Sequence, residues 1–181
     1  HIVLGACDFE AAMDTFEEMT GVRPVAITSL NGLGIKSARV AFEGDECTYL
    51  EIVAPDPKQS ATTLADQLST LEPGALVPVH YAIRTSTGEQ RKSSLWTSSA
   101  CKLQVDNITM VAATEEGMPW KWDLYILEQE QGDDLAAGLL PHFLYWKDDL
   151  HPCQTISAVV GTLDRVTIQA PQGSVVHKVL D

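Results

Sequence analysis

The sequence has no cluster of lysines and arginines, no CxxC pair, no long apolar run and no common nucleotide-binding or hydrolase motif. Lys and Arg number 12 against 25 Asp and Glu, for a formal net charge of -13. Nucleic-acid binding needs basic side chains gathered on one face, so that class of partner is excluded. The same acidity disfavours an anionic membrane surface. No run of residues is long and apolar enough to insert into a bilayer. The cysteines, at 7, 47, 101 and 153, are widely spaced, so free thiols are expected rather than a disulfide framework or a Cys-rich zinc site. P-loop, G-x-G-x-x-G and G-x-S-x-G patterns are all missing, and Asn31-Gly32-Leu33-Gly34 is too short to replace them.

What remains is an ordinary globular composition, 45% hydrophobic and 20% charged over 181 residues. That length suits one domain, or two small modules sharing a core. The sequence opens on His rather than Met, inside an expected strand. Residues upstream are therefore expected to be missing, and a targeting peptide is one segment that could be lost with them. Localisation is left open, with a cytoplasmic or organellar soluble compartment as the expectation.

Periodicity divides the chain into two similar halves. Residues 1–6 read as a buried strand. Asp8 is a helix N-cap, and Phe9, Ala12, Met13, Phe16 and Met19 form an apolar stripe that Gly21 terminates. Strands are expected at 22–28, 37–42 and 48–53, the last two joined by the polar tip Glu43-Gly44-Asp45. This makes module one, 1–57. A connector, 58–76, contains a short helix over 61–71. Module two, 77–154, restarts with a strand at 77–85. The region 86–99 occupies the place of the second helix, with a poor helical pattern. Further strands follow at 103–113, 119–128 and 142–147. The tail, 155–181, alternates like two more strands around Gln169-Ala170-Pro171-Gln172-Gly173.

His1 and His80 open the first strands of the two halves, and Glu51 stands in the last strand of the first. Two imidazoles and a carboxylate from two repeated modules can grip one divalent ion. A carboxylate in an apolar strand is costly unless paired, hydrogen-bonded or on a metal. The alternatives are a satisfied core histidine at 80 and a solvated strand face at 51. Arg84, on the strand of His80, is read either as an anchor for an anionic substrate group or as a surface charge. Trp120, Trp122, Tyr125, Phe143, Tyr145 and Trp146 either line an apolar pocket or fill the core. His142 and His151 are further cleft candidates, with a turn-stabilising role the stronger reading for His151.

The opening HIVLGACDFEAAMDTFEEMTGVRPV resembles the start of glyoxalase-like domains of the vicinal oxygen chelate superfamily. Asp8, Ala11, Ala12, Phe16, Glu17, Thr20, Gly21 and Pro24 match the pattern. The resemblance continues through NGLGIKSARVAF, YLEIVAPDP, PVHYAIRT, WKWDLYI, LPHFLYW and HPCQT, and thins over the last quarter. It implies an α+β fold in which two βαβββ modules form a curved, open mixed sheet, here with a C-terminal strand extension. It also implies a divalent metal (Zn, Fe, Mn or Ni) in the concavity, with His1, Glu51 and His80 as ligands. Overlaying YLEI on FLYW puts Tyr145 at the fourth ligand position. Glu128 is the alternative ligand and the expected proton-moving carboxylate.

The implied activity is that of a lyase, isomerase or dioxygenase acting on a small oxygen-rich substrate, contacted by Arg84, Trp122, His142 and Tyr145. The competing expectation is a non-catalytic binding or scaffold subunit with a degenerate site and no metal, since fold alone does not choose a reaction. A homo-oligomer or a larger assembly is compatible with either.

Overall fold

The computed structural model describes residues 1–30, 32–44, 47–85, 103–113, 119–129, 140–147, 151–170, 174, 176 and 179, with backbone alone at 28–30, 103–105, 113, 119, 128 and 129. Module one runs β1 (Ile2–Gly5), α1 (Phe9–Thr20), β2 (Val25–Leu30), β3 (Ile35–Ala41) and β4 (Tyr49–Pro55). The connector carries α2 (Thr63–Ser69). Module two contributes β5 (Val77–Arg84), β6 (Leu103–Ala113), β7 (Pro119–Gln129) and β8 (His142–Trp146). The region 86–99, expected to hold the second module's helix, lies outside the described residues.

Local chemistry sets the element ends. Asp8 accepts a hydrogen bond from the Ala11 amide at 2.9 Å, and Gly21 closes α1 at φ 75°, a left-handed conformation that favours glycine. Ala12, Met13 and Phe16 form the buried stripe of α1. The α2 helix starts at Thr62, whose hydroxyl accepts from the Ala65 amide.

Strand pairings form a ring in the order β1-β4-β3-β2-β6-β7-β8-β5. In each module the first and last strands are parallel, β1 with β4 and β5 with β8. The modules join antiparallel, β1 to β5 along four residue pairs and β2 to β6 at the single pair Thr28↔Ala113. The two-module α+β sheet expected from the sequence is thus present, strongly curved and barely joined along one seam.

The strand extension at 155–181 is not seen among the described residues. From 155 to 170 the chain forms no strand and makes one isolated bridge, Ala41↔Val159. Its amide bonds go to the end of β3: Ala41 N to Ala158 O at 2.9 Å and Val160 N to Ala41 O at 2.9 Å. The β2–β3 register runs only as far as Val25↔Arg39 at this end, leaving the Ala41 edge open. Apart from this bridge, the described tail residues pair with no strand.

Gly5 lets α2 lie across the barrel. A Cβ there would come within 2.6 Å of Leu68 Cδ2 and 2.7 Å of Val79 Cγ1. Gly5→Val is therefore expected to lift α2 and to cost roughly 1–3 kcal/mol, the usual range for overpacking. A urea midpoint equal to that of the parent would refute this close approach.

Candidate functional site

Inside the ring is a cavity of about 480 Å³. Its walls are mainly apolar: Val3 of β1, Ile35 of β3, and Trp122, Leu124 and Ile126 of β7, with Leu64 and Leu68 of α2 across one side. Polar groups enter it from β1, β3, β4, β5 and β8: His1, Arg39, Tyr49, Glu51, His80 and His142. Alternation delivers them, since every second residue of a strand faces the same side.

Glu51 is 6% exposed and heavily engaged. Its Oε1 accepts from Ser37 Oγ at 2.6 Å, Arg39 Nε at 3.3 Å and Arg39 Nη2 at 3.2 Å. Its Oε2 lies 3.5 Å from His1 Nε2. The His1 ring stacks on Tyr49 with centroids 4.5 Å apart. Arg39 is 2% exposed; its guanidinium lies between the Tyr49 and Trp120 rings, 5.1 and 5.0 Å from their centroids. Burial alone would push the arginine pKa down, but the Glu51 charge reverses that and holds it up. Ser37 and Arg39 were not anticipated. The signal was available: Ser37 and Arg39 interrupt an otherwise largely apolar strand at i and i+2, and Arg39 is the register partner of Glu51 across the hairpin.

The opposite half presents two histidines. The His80 and His142 rings are 3.6 Å apart, centroid to centroid. Burial, reinforced by His142, pushes His80 down to about 3, and burial pushes His142 down to about 4. Both imidazoles are neutral at pH 7, and His80 Nε2 is buried without a hydrogen-bond partner among the described residues. Since both folded values lie below the ordinary 6.5, the unfolded chain takes up these protons first. Their contribution to stability is complete above about pH 6.5 and is lost as pH falls towards 4. Each pH unit between the folded and unfolded values is worth roughly 1.4 kcal/mol per group, as an upper limit. Thermal melts of the metal-free protein from pH 7.5 to 4.5 are expected to show Tm falling below pH 6.5, less steeply in His142→Gln. A flat profile across that range would contradict the burial of these rings.

Register shows which second-module residue corresponds to Glu51. On β1, Val3 pairs with Glu51; on β5, Ala82 pairs with His142. Val3 lies two residues after His1, and Ala82 two after His80. His142 is thus the second-module counterpart of Glu51. Tyr145, placed there by the overlay, pairs with Asp123 and packs beside Phe143 and Leu140, away from the cavity. The two overlays differ by three residues, which also reverses the strand face.

Arg84 is exposed and does not line the main cavity either. It borders a second opening of about 360 Å³ shared with Tyr49, His151 and Leu163. Trp122 lines the main cavity against Trp146, ring centroids 5.0 Å apart. Trp120, Tyr125 and Phe143 are buried in core clusters. Glu128 sits on β7 opposite Gln104; its carboxylate lies outside the described residues.

His151 caps the 3-10 turn 152–154. Its Nδ1 accepts from the Cys153 amide at 3.3 Å, while its own amide donates to Gln154 Oε1 at 3.0 Å. The expectation of free thiols fails at two positions. Cys47, at the hairpin of module one, is disulfide-bonded to Cys153 of module two, with Cα atoms 5.4 Å apart. A sequence separation of 106 hid that pairing.

A strongly curved mixed sheet, whose two modules each pair their first and last strands in parallel and bring His1, Glu51, His80 and His142 to one hollow, has the architecture of a vicinal oxygen chelate domain. Residues 1–181 match the glyoxalase-like domain family, and the chain belongs to it. Among solved structures it is similar to a variant of the Streptomyces coelicolor methylmalonyl-CoA epimerase in complex with 2-nitronate-propionyl-CoA. That match has 14% identity and a TM-score of 0.56, over 84% of this chain and 96% of the other. The Mycobacterium tuberculosis methylmalonyl-CoA epimerase gives 15% identity and a TM-score of 0.50, over 81% and 84%. A hypothetical protein from Staphylococcus aureus gives 14% and 0.54, over 82% and 58%. At such identities the likeness is one of fold. No functionally curated protein matches the sequence. No helix among the described residues is long and apolar enough to cross a membrane.

Proposed function

We propose that the protein is a vicinal oxygen chelate enzyme, of lyase, isomerase or dioxygenase type, whose barrel cavity takes a small, largely apolar substrate bearing neighbouring oxygens. The observation that carries this reading is the register equivalence of Glu51 and His142, which makes His1, Glu51, His80 and His142 two matching half-sites on one cavity.

The donor types suit a divalent transition metal. Three imidazoles and one carboxylate fit Zn, Fe, Mn or Ni. The buried, unpartnered Nε2 of His80 supports the fit, because an orphaned polar atom in such a place needs a partner. Such a metal supplies Lewis-acid stabilisation to an anion developing on paired oxygens. The chain's own residues do the rest. Trp122, Leu124 and Ile126 exclude water and seat the apolar part of the substrate. Tyr49 orients the His1 ring by stacking. Ser37 and Arg39 fix the rotamer of Glu51. Glu128 is assigned the proton-moving role.

The test is metal analysis of protein purified without chelators. One equivalent is expected, with affinity falling at least about 100-fold in His80→Ala and in Glu51→Gln, more than the loss of a supporting residue costs. Glu128→Gln is expected to keep the metal and to lose turnover.

A second reading is a non-catalytic binder, favoured by the grip of Arg39 and Ser37 on Glu51, which already satisfies one carboxylate oxygen with three donors. Absence of metal, with ligand binding unchanged in His80→Ala, would favour it and end the first reading.

A further inference from the structure

A group of side chains of metal-ligating type lies behind the cavity, apart from His1, Glu51, His80 and His142. Cys47, His151 and Cys153 place one donor atom each within 4.8 Å of one another, the one such trio among the described residues. His151 and Cys153 share the 3-10 turn at i and i+2, with His151 Nδ1 3.0 Å from Cys153 Sγ. Cys47 arrives from the β3–β4 hairpin, held at φ 50°. Both Cys47 and His151 border the second opening, so solvent and ions can reach the group.

We propose that reduction of the Cys47–Cys153 bond turns this corner into a thiophilic metal site, in which two thiolates and the His151 imidazole bind one Zn²⁺ and a water completes the shell. The reductant is a dithiol. It gives two electrons and two protons to the disulfide and becomes a disulfide itself. Zn²⁺ then displaces both thiol protons. Tetrahedral geometry with Zn–S bonds of about 2.3 Å sets the two sulfurs roughly 3.8 Å apart. That is a parting local to the hairpin and the turn. Cys₂His with an open fourth position is an established zinc donor set. The site backs onto the cavity through aromatic rings. His151 meets Tyr49 and Trp146 edge-on at 5.8 and 5.2 Å, and Tyr49 stacks on His1. The proposal does not depend on a metal in the main cavity.

Co²⁺ is the probe, because thiolate ligation gives a strong near-ultraviolet charge-transfer band that His and Glu ligands do not. The full chain is reduced with a phosphine, freed of reductant without air, checked for native circular dichroism and titrated. One equivalent of Co²⁺ is expected to raise the band, and Zn²⁺ to bleach it. The oxidised protein and reduced Cys153→Ser are expected to lack it, and His80→Ala to keep it. His151→Ala is expected to keep the band with affinity lowered at least about tenfold. No band in the folded, reduced parent overturns the site, as does a band surviving in Cys153→Ser or an unchanged affinity in His151→Ala. Should Cys153→Ser fail to fold, the reduced and oxidised parent and His151→Ala still decide.

Discussion

Arg39→Met is expected to destabilise the metal-free protein by about 3–5 kcal/mol, because it strands a buried carboxylate. Glu51 is 6% exposed, and Arg39 supplies two of the three hydrogen bonds to its Oε1. Desolvating an unpaired charge outweighs whatever the methionine gains by packing between Tyr49 and Trp120. The double variant Arg39→Met with Glu51→Leu is expected to recover most of the loss, since removing both members of a buried ion pair is often neutral. Urea denaturation of the four proteins gives the coupling directly. A penalty below about 1 kcal/mol for the single change would mean that Glu51 is already served by another cation. The same variant bears on the proposed metal. Arg39 repels any cation near Glu51, so in the enzyme reading its removal is expected to tighten metal binding and to restore part of the lost stability on adding metal.

Reducing the Cys47–Cys153 bond, or replacing Cys153 with Ser, is expected to remove about 2–4 kcal/mol. The bond closes a loop spanning 106 residues and ties the hairpin of module one to the turn after β8 of module two. Loop closure of that length corresponds to an entropic limit near 4.7 kcal/mol on the chain-entropy account. For a chain of this size the expected fall in Tm is on the order of 5–15 °C. Calorimetry with and without a thiol-free reductant checks it. An unchanged Tm would mean that the two modules hold together without the bridge.

Much of the fold is legible in the sequence because the relevant signals are local. The α1 stripe, Asp8 and Gly21 define the first helix from side-chain spacing and cap chemistry alone. The strands of module one follow from apolar runs broken by Gly44 and by Pro55-Asp56-Pro57. His1, Glu51 and His80 reach one cavity because each occupies the inward parity of its strand.

What stayed hidden depends on distance along the chain or on register. The fourth position required knowing that Ala82 faces His142, a pairing across 60 residues that no local pattern encodes. Overlaying YLEI on FLYW lands on Tyr145 because likeness of letters carries no register. The Cys47–Cys153 bond is long-range in the same sense. The tail failed for another reason: alternation marks an extended segment but does not say whether a partner edge is free.

The seam where β2 meets β6 at Thr28↔Ala113 has a consequence for how the protein fails under stress. A circle cut once acquires two raw margins together. Substitutions that loosen this junction are therefore expected to show themselves as concentration-dependent precipitation on mild heating, before any change in the unfolding midpoint of a dilute sample, because each opened molecule offers neighbours a matched pair of hydrogen-bonding rims.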